Sequence, residues 1–427
     1  MNMLRAPELL LPAGTLEKMR TAYAFGADAV YAGQPRYSLR ARNNEFALPQ
    51  LEQGIAEAHA QGKKFFVASN LMAHNAKVRT YLADMAPLIA MRPDALIMAD
   101  PGLIMLVREK WPEVPIHLSV QANTVNWAAV RFWRSLGLER VILSRELALE
   151  EIAEIRAHCP EMELEVFVHG ALCIAYSGRC LLSGYFNHRD ANQGTCTNSC
   201  RWDYKVHPAQ EDAAGIPRHP LAEKAHFLEE GERPGELMPV EEDEHGTYIM
   251  NSKDLRAVEH IARLVEIGVD SLKIEGRTKS AYYAARTAQA YRKAIDDAVA
   301  GRPFDPSLLG ALESLANRGY TGGFYERHPD AEYQNYLRGH SESAASQYVG
   351  DIVAGDPARG TAEVTVKNRF SVGDRLEVIH PSGNRIITLE RLETLEGEPL
   401  REAPGSGWVV RIGIEGELAM GMLARLL

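Results

Sequence analysis

ALIMADPGLIMLVREKWPEVPIHLSV, residues 95–120, decides the fold class. Its first five residues, ALIMA, are apolar on both faces of an extended chain, as in a strand buried on both sides. Residues 103–111 then repeat apolar side chains at helical spacing, and 116–120 (IHLSV) return to a strand-length apolar run. Strand, helix and strand within 26 residues make a βαβ unit with a parallel pair.

The same alternation extends outward in both directions. Further strand-length runs lie at 8–12 (ELLLP), 28–32 (DAVYA), 65–69 (FFVAS), 140–144 (RVILS), 164–168 (LEVFV) and 271–274 (SLKI), giving eight with the two above. Helical spacing fills intervening stretches such as 16–25, 51–60, 128–136 and 255–267. Eight strands alternating with helices predict an α/β fold of the (β/α)8, TIM-like barrel type. A doubly wound open sheet is the alternative, because closure leaves no mark in a sequence.

About a hundred residues separate the seventh run from the eighth, and their later part, 208–246, is rich in Glu, Pro and Gly. We read an insertion at about 171–250 within a barrel domain of residues 1–300. Residues 301–345 read as a connector with one helix and a Gly-rich turn (NRGYTGGF, 317–324). From 346 to 427 short β runs at 362–367, 374–379, 385–389 and 408–414 alternate with turn signals, predicting a small antiparallel β-barrel.

The chain of 427 residues carries 47 Lys and Arg against 57 Asp and Glu, a net charge of −10. That balance excludes a protein that coats nucleic acid by bulk charge and leaves room for a local basic site. No apolar run reaches the ~18–20 residues of a membrane span, and residues 1–20 lack the apolar core of a secretory signal. Cytoplasm is the expected location.

Of five cysteines, Cys173, Cys180, Cys196 and Cys200 fall within 28 residues at the start of the insertion. Seven residues separate the first pair, about two helical turns, and four separate the second. Two converging pairs give a four-thiolate site, which suits zinc or an iron–sulfur cluster; buried cysteines acting as small hydrophobes are the bland alternative. Cys159, beside Pro160, reads as a structural thiol.

Barrels of this class do their chemistry at the carboxyl ends of the strands. The polar residues there are Asn70, Asp100, Gln121, Asn123, Arg145, Glu146, His169, Glu275, Arg277 and Lys279. His169, Glu275 and Asn70 are the candidates for catalysis. Arg145, Arg277 and Lys279, with Gln121 and Asn123, are the candidates for holding substrate, the three cations suiting carboxylates or phosphates. Rim salt bridges and a satisfied core histidine are the alternatives for the same residues. Neither a Ser/His/Asp pattern nor HExxH is present.

EVFVHGALCIAYSGRCLLS at 165–183 resembles the signature of the collagenase-like peptidase superfamily. Further motifs of that family are ELLLPAG (8–14), GADAVYAG (26–33), HLSVQANTVN (117–126), VILSREL (141–147), GTCTNSCRW (194–202), NSKDL (251–255) and SLKIEGRTKS (271–280). With GELMPVEEDEHGTY (235–248) and KNRFSVGDRLEVIHPSG (367–383), the chain is most similar to the branch of prephenate-dependent tRNA uridine hydroxylases. The resemblance implies hydroxylation of the wobble uridine at C5 to 5-hydroxyuridine and prephenate as co-substrate. It further implies an iron–sulfur cluster, four-iron four-sulfur, on the four cysteines. Sister branches act on ribosomal RNA or a quinone precursor, and the family's oldest label is peptidase. The mouth cations could bind prephenate's two carboxylates. RNA contact would fall to Arg36, Arg40 and Arg42 and to Lys367, Arg369 and Arg375.

Overall fold

The computed structural model describes residues 5–39, 46–172, 226–229, 237–243, 246–248, 254–317, 319–326, 346–416 and 418–427. Cys173, Cys180, Cys196, Cys200, Arg40 and Arg42 lie outside them.

Strands β1 (Glu8–Pro12), β2 (Ala29–Gly33), β3 (Lys64–Ser69), β4 (Ala95–Met98), β5 (Ile116–Leu118), β6 (Arg140–Ile142) and β7 (Glu163–Ala171) pair in parallel in that order. Between them run α1 (Leu16–Ala24), α2 (Leu48–Ala60), α3 (Asn75–Ala90), α4 (Pro101–Lys110), α5 (Trp127–Ser135) and α6 (Leu149–His158). Three short strands, β8 (His226–Glu229), β9 (Leu237–Asp243) and β10 (Gly246–Tyr248), form an antiparallel ladder of their own. After β11 (Asp254–Arg256) and α7 (Ile261–Ile267), β12 (Ser271–Ile274) pairs with both β1 and β7. That double pairing closes the barrel. Nearly every residue of these eight parallel strands is buried, as strands covered by helices on one side and lumen side chains on the other must be.

Helix starts fall where side chains cap them. Thr15 accepts from the Lys18 amide at 3.2 Å, Asn126 from Ala129 at 2.9 Å and Ser280 from Tyr283 at 3.2 Å. Each satisfies a donor that the first helical turn leaves unpaired.

One expected helix starts late. Residues 255–267 have helical spacing, yet the α-helix spans only Ile261–Ile267, and Asp254–Arg256 is a strand. The cause is β7, nine residues long against three or four in β6 and β12. Its overhanging end carries unpaired backbone groups. Asp254–Arg256 satisfies them in antiparallel register with His169–Ala171 and passes the edge on to β13 (Tyr320–Thr321).

Helix α8 (Ala281–Val299) packs outside the barrel, and α9 (Ser307–Glu313) lies against it. The C-terminal strands are β14 (Ser346–Asp356), β15 (Thr361–Val366), β16 (Phe370–Ser371), β17 (Arg375–Ile379), β18 (Arg385–Thr388), β19 (Leu392–Glu393), β20 (Glu402–Ala403), β21 (Val409–Gly413) and β22 (Met422–Leu426). Seven form an antiparallel half-barrel in the order β18-β17-β22-β14-β15-β21-β19, and β16 pairs with β20. This unit has its own core around Val364, Phe370, Leu376 and Val410. It joins the barrel through α8. Arg286 makes a two-pronged ion pair with Glu377 at 2.8 Å, and Tyr282 stacks on Tyr348 with centroids 4.6 Å apart. Among the described residues no helix is long and apolar enough to cross a membrane.

Candidate active site at the barrel mouth

The lumen is stacked in layers. At the bottom Arg140 reaches Glu8 at 2.7 Å, Glu165 at 3.0 Å and Glu163 at 2.7 Å, and Lys273 holds the other Glu165 oxygen at 2.7 Å. Glu165 is fully buried and Arg140 and Lys273 nearly so. Burial raises the Glu8 carboxyl, but Arg140, with help from Lys64, outweighs it and holds the group below its usual range. Burial pushes the Lys273 ammonium down, while the Glu165 carboxylate favours its charge.

Above that network lie the rings of Tyr31 and Phe167. The Lys273 ammonium sits 4.4 Å from the first ring centre and 5.5 Å from the second. Arg145 lies over Phe167 at 3.7 Å and Arg277 over Tyr31 at 5.9 Å. Three cations thus alternate with two rings across the mouth, each attracted to a π face. The Tyr31 hydroxyl lies 3.1 Å from both the Glu275 carboxylate and the Ile274 carbonyl, the two acceptors its one proton can serve.

Gly33 makes the Arg277 position possible. A Cβ there would fall 2.6 Å from the guanidinium and 2.5 Å from the Ser38 hydroxyl. Arg277 in turn donates to the Leu39 carbonyl at 2.5 Å, fixing the loop after β2.

A hydrogen-bond chain continues from that loop. The Leu39 amide donates to Asn70 Oδ1 at 3.2 Å, Asn70 Nδ2 to Ser119 Oγ at 3.2 Å, and Ser119 Oγ to Gln121 Oε1 at 3.4 Å. Asn123, at a left-handed φ of 50°, closes the loop by donating to the Gln121 carbonyl at 2.8 Å. Gln121 Nε2 and Thr124 Oγ1 are buried with no hydrogen-bond partner among the described residues.

The sequence-derived residues therefore separate. Asn70, Gln121, Asn123, Arg145, Glu275 and Arg277 gather at the mouth. Lys279 turns away, its ammonium 3.4 Å from the Ala316 carbonyl in a cleft of about 570 Å³ between α8 and the C-terminal sheet. Asp100 caps α4 through the Leu103 amide at 3.0 Å and also accepts from Ala73 at 2.9 Å, and Glu146 accepts from Ser144.

His169 faces the helix layer rather than the lumen. The register between β7 and β12 skips at Lys273/Ile274, where Phe167 pairs with Lys273 but His169 with Ile274. That irregularity turns the imidazole into a cage of Tyr283, Tyr291 and Tyr320. Tyr291 gives its proton to the Val168 carbonyl at 2.7 Å, so His169 Nδ1 is the donor in their 3.2 Å contact. Burial, then Lys279 and Arg256, push its pKa down to about 3. His169 is neutral, with its proton on Nδ1. The backbone leaves no slack here, since a Cβ at Gly170 would fall 2.4 Å from the Glu275 carbonyl.

Tyr31, Phe167, Glu165 and Lys273 were absent from the sequence-derived set. For the last two a signal existed: a charged residue inside an otherwise apolar strand run faces the lumen and needs a partner there.

Leu172 is the last described residue after β7, and Cys173 follows it in sequence. Among the described residues no group of three or more His, Cys, Asp or Glu is arranged to hold a metal ion. Cys159 is buried at the end of α6, its thiol 3.5 Å from the Trp127 carbonyl. Of the cations expected to meet RNA, Arg36 pairs with Asp84 at 2.6 Å, Lys367 with Asp351 at 3.3 Å and Arg369 with Glu402 at 2.5 Å.

Comparison with known proteins matches residues 14–335 to peptidase family U32 and residues 344–425 to the peptidase family U32 C-terminal domain. The chain is 60% identical to tRNA hydroxylation protein P of Escherichia coli (strain K12), over 97% of this chain and 95% of that one. It is 56% identical to the Haemophilus influenzae protein of the same name, over 96% and 93%. With tRNA hydroxylation protein P1 of Bacillus subtilis the identity is 35%, over 93% and 90%. Two family profiles spanning almost the whole length, on a closed barrel followed by an antiparallel half-barrel, place this chain in the collagenase-like peptidase family U32.

Proposed function

We propose that this chain is a tRNA-modifying enzyme that hydroxylates the wobble uridine at C5 with prephenate as co-substrate, working in the cytoplasm. The observation that carries the reading is the 60% identity, across nearly both full lengths, to a protein named for tRNA hydroxylation. The mouth supports it. Arg145 and Arg277 are two cations for the two carboxylates of prephenate, and guanidinium is the group best matched to a carboxylate. Glu275, whose carboxylate lies 3.1 Å from the Tyr31 hydroxyl, is the acidic group beside them.

Four thiols close to one another in sequence suit an iron–sulfur cluster, and Cys173, Cys180, Cys196 and Cys200 are the residues that would hold it. Zinc is the alternative metal for that set. When bound, an iron–sulfur cluster supplies electron transfer or a Lewis-acidic iron. The chain's own mouth residues bind and orient the substrates, and a uridine must leave its stack to reach them.

The test is the nucleoside content of total tRNA from cells lacking the gene, by mass spectrometry. Nucleosides derived from 5-hydroxyuridine fall, and wild type restores them where Cys180→Ala does not. An unchanged profile overturns the reading and moves weight to ribosomal RNA, to a quinone precursor or to peptide hydrolysis.

A further inference from the structure

The hydrogen-bond chain at the mouth has a direction. A backbone amide can only donate, so the Leu39 N–H fixes Asn70 Oδ1 as the acceptor and Asn70 Nδ2 as the next donor. Ser119 Oγ accepts from Asn70 and donates to Gln121 Oε1 at 3.4 Å. In this arrangement the oxygen of the Gln121 amide is used and its NH2 is not. Gln121 is 2% exposed, and its Nε2 has no acceptor among the described residues. Thr124 Oγ1, three residues on in the same loop and also 2% exposed, is in the same condition. Buried donors left unpaired are rare, and where one is held in place by its neighbours a missing partner is indicated.

We infer that Gln121 is a specificity-determining residue. Its Nε2 donates to an acceptor oxygen of the substrate, with Asn70 and Ser119 as positioning residues that hold the amide in the donating orientation. This removes Asn70 from proton transfer, since both ends of its amide are engaged. The ligand chemistry is a carbonyl or carboxylate oxygen, which two sources can supply: the carbonyl of an extruded pyrimidine or the carboxylate of the co-substrate. The inference rests on the proposed reaction for that choice of sources.

The experiment uses the full chain, titrated calorimetrically with prephenate and, separately, with an anticodon stem-loop RNA carrying a wobble uridine. Gln121→Ala weakens one of the two ligands about tenfold and leaves the other unchanged, and the ligand affected names the source. Gln121→Glu weakens a carboxylate ligand more than Gln121→Ala does. Ser119→Ala, which frees the amide to flip, has a smaller effect on the same ligand. Gln121→Met in a Ser119→Ala background supplies a readout that a structural role would not give. There the amide has no hydroxyl to serve and only an unpaired donor is removed, so the melting temperature stays level with that of Ser119→Ala or rises while ligand affinity falls. A melting temperature lowered below that of Ser119→Ala, unaltered binding of both ligands by Gln121→Ala, or failure of wild type to bind either ligand overturns the inference. Binding that depends on Gln121 in a chain whose loss leaves tRNA nucleosides unchanged would remove the proposed reaction and leave the site standing.

Discussion

Below the rings of Tyr31 and Phe167 the lumen holds Glu8, Arg140, Glu163, Glu165 and Lys273, each with an oppositely charged partner within 3.1 Å. Above the rings, Gln121 and Thr124 keep buried polar atoms with no partner among the described residues. One barrel thus treats polar groups in two ways a few layers apart. Charges taken out of water must be compensated within the fold, and the lower layers do this completely. A rim that must accept a ligand holds donors in reserve for it, at a cost of about 1–3 kcal/mol for each group left unmade. Polar residues are common to both regions, and His117 Nδ1 in the lower layer is also unpaired, so neither polarity nor an unmet hydrogen bond alone marks a site; what sets Gln121 apart is that a hydrogen-bond chain holds its amide at the mouth.

The comparison breaks most visibly at Arg140. Arg140→Met leaves three carboxylates without their common partner, and we expect a loss of about 3–5 kcal/mol in urea denaturation, far above the effect of any rim substitution. A loss under 1 kcal/mol would show that the lower layer is not held by these pairs.

The His169 cage makes the next largest difference, through pH. Its folded-state pKa of about 3 lies below the ~6.5 of an unfolded histidine, so the unfolded chain takes up a proton that the native one refuses. Stability from this group is complete above pH ~6.5 and declines as pH falls toward 3, by ~1.4 kcal/mol per unit. His117, buried beside Arg140 and Lys273 and also shifted down, adds to the slope in the same direction. Denaturation curves between pH 6.5 and 4.5 should be flatter for His169→Gln than for wild type; identical slopes would mean that the ring is not held neutral.

At the rim the expected signature is affinity more than stability. Arg145→Ala reduces prephenate binding by about tenfold or more and lowers stability less than Arg140→Met does, because its guanidinium lies over the Phe167 ring at the mouth and outside the carboxylate network below. Equal binding by the variant would take Arg145 out of the site. Lys279→Ala completes the series with the smallest change, within about 0.5 kcal/mol in stability and with prephenate affinity intact. A clear drop in that affinity would place Lys279 in the site after all.

How far a sequence can carry such a reading differs between these regions. The eight parallel strands were legible because runs such as ALIMA and LEVFV are apolar on both faces, which few other settings demand. Residues 254–256 were not, because their antiparallel pairing answers the overhang of β7, a length mismatch between distant segments. The mouth was legible as a set of strand ends but not in its directions. Arg277 and Lys279 are two residues apart and diverge, one onto Tyr31 and the other toward Ala316. His169 was read as facing the site because it follows an apolar run, and one skipped register position turns it around. Lys273 and Glu165 went unnoticed because each was hidden in a strand, where strict alternation would have assigned both to the lumen.

Helix α8 has an architectural consequence of its own. Fourteen of its nineteen residues are buried. One flank carries the Tyr283 and Tyr291 rings against the barrel wall, and another meets the C-terminal sheet through Tyr282, Arg286 and Gln289. A keel of this kind ties its two neighbours together across buried faces. A chain cut before Ser346 would present to water an arginine that has lost its carboxylate beside a tyrosine that has lost its stacking partner, on a face shaped for another surface. The shorter protein should be harder to keep in solution than the whole one, and insertions along this helix should be tolerated less well than in any loop.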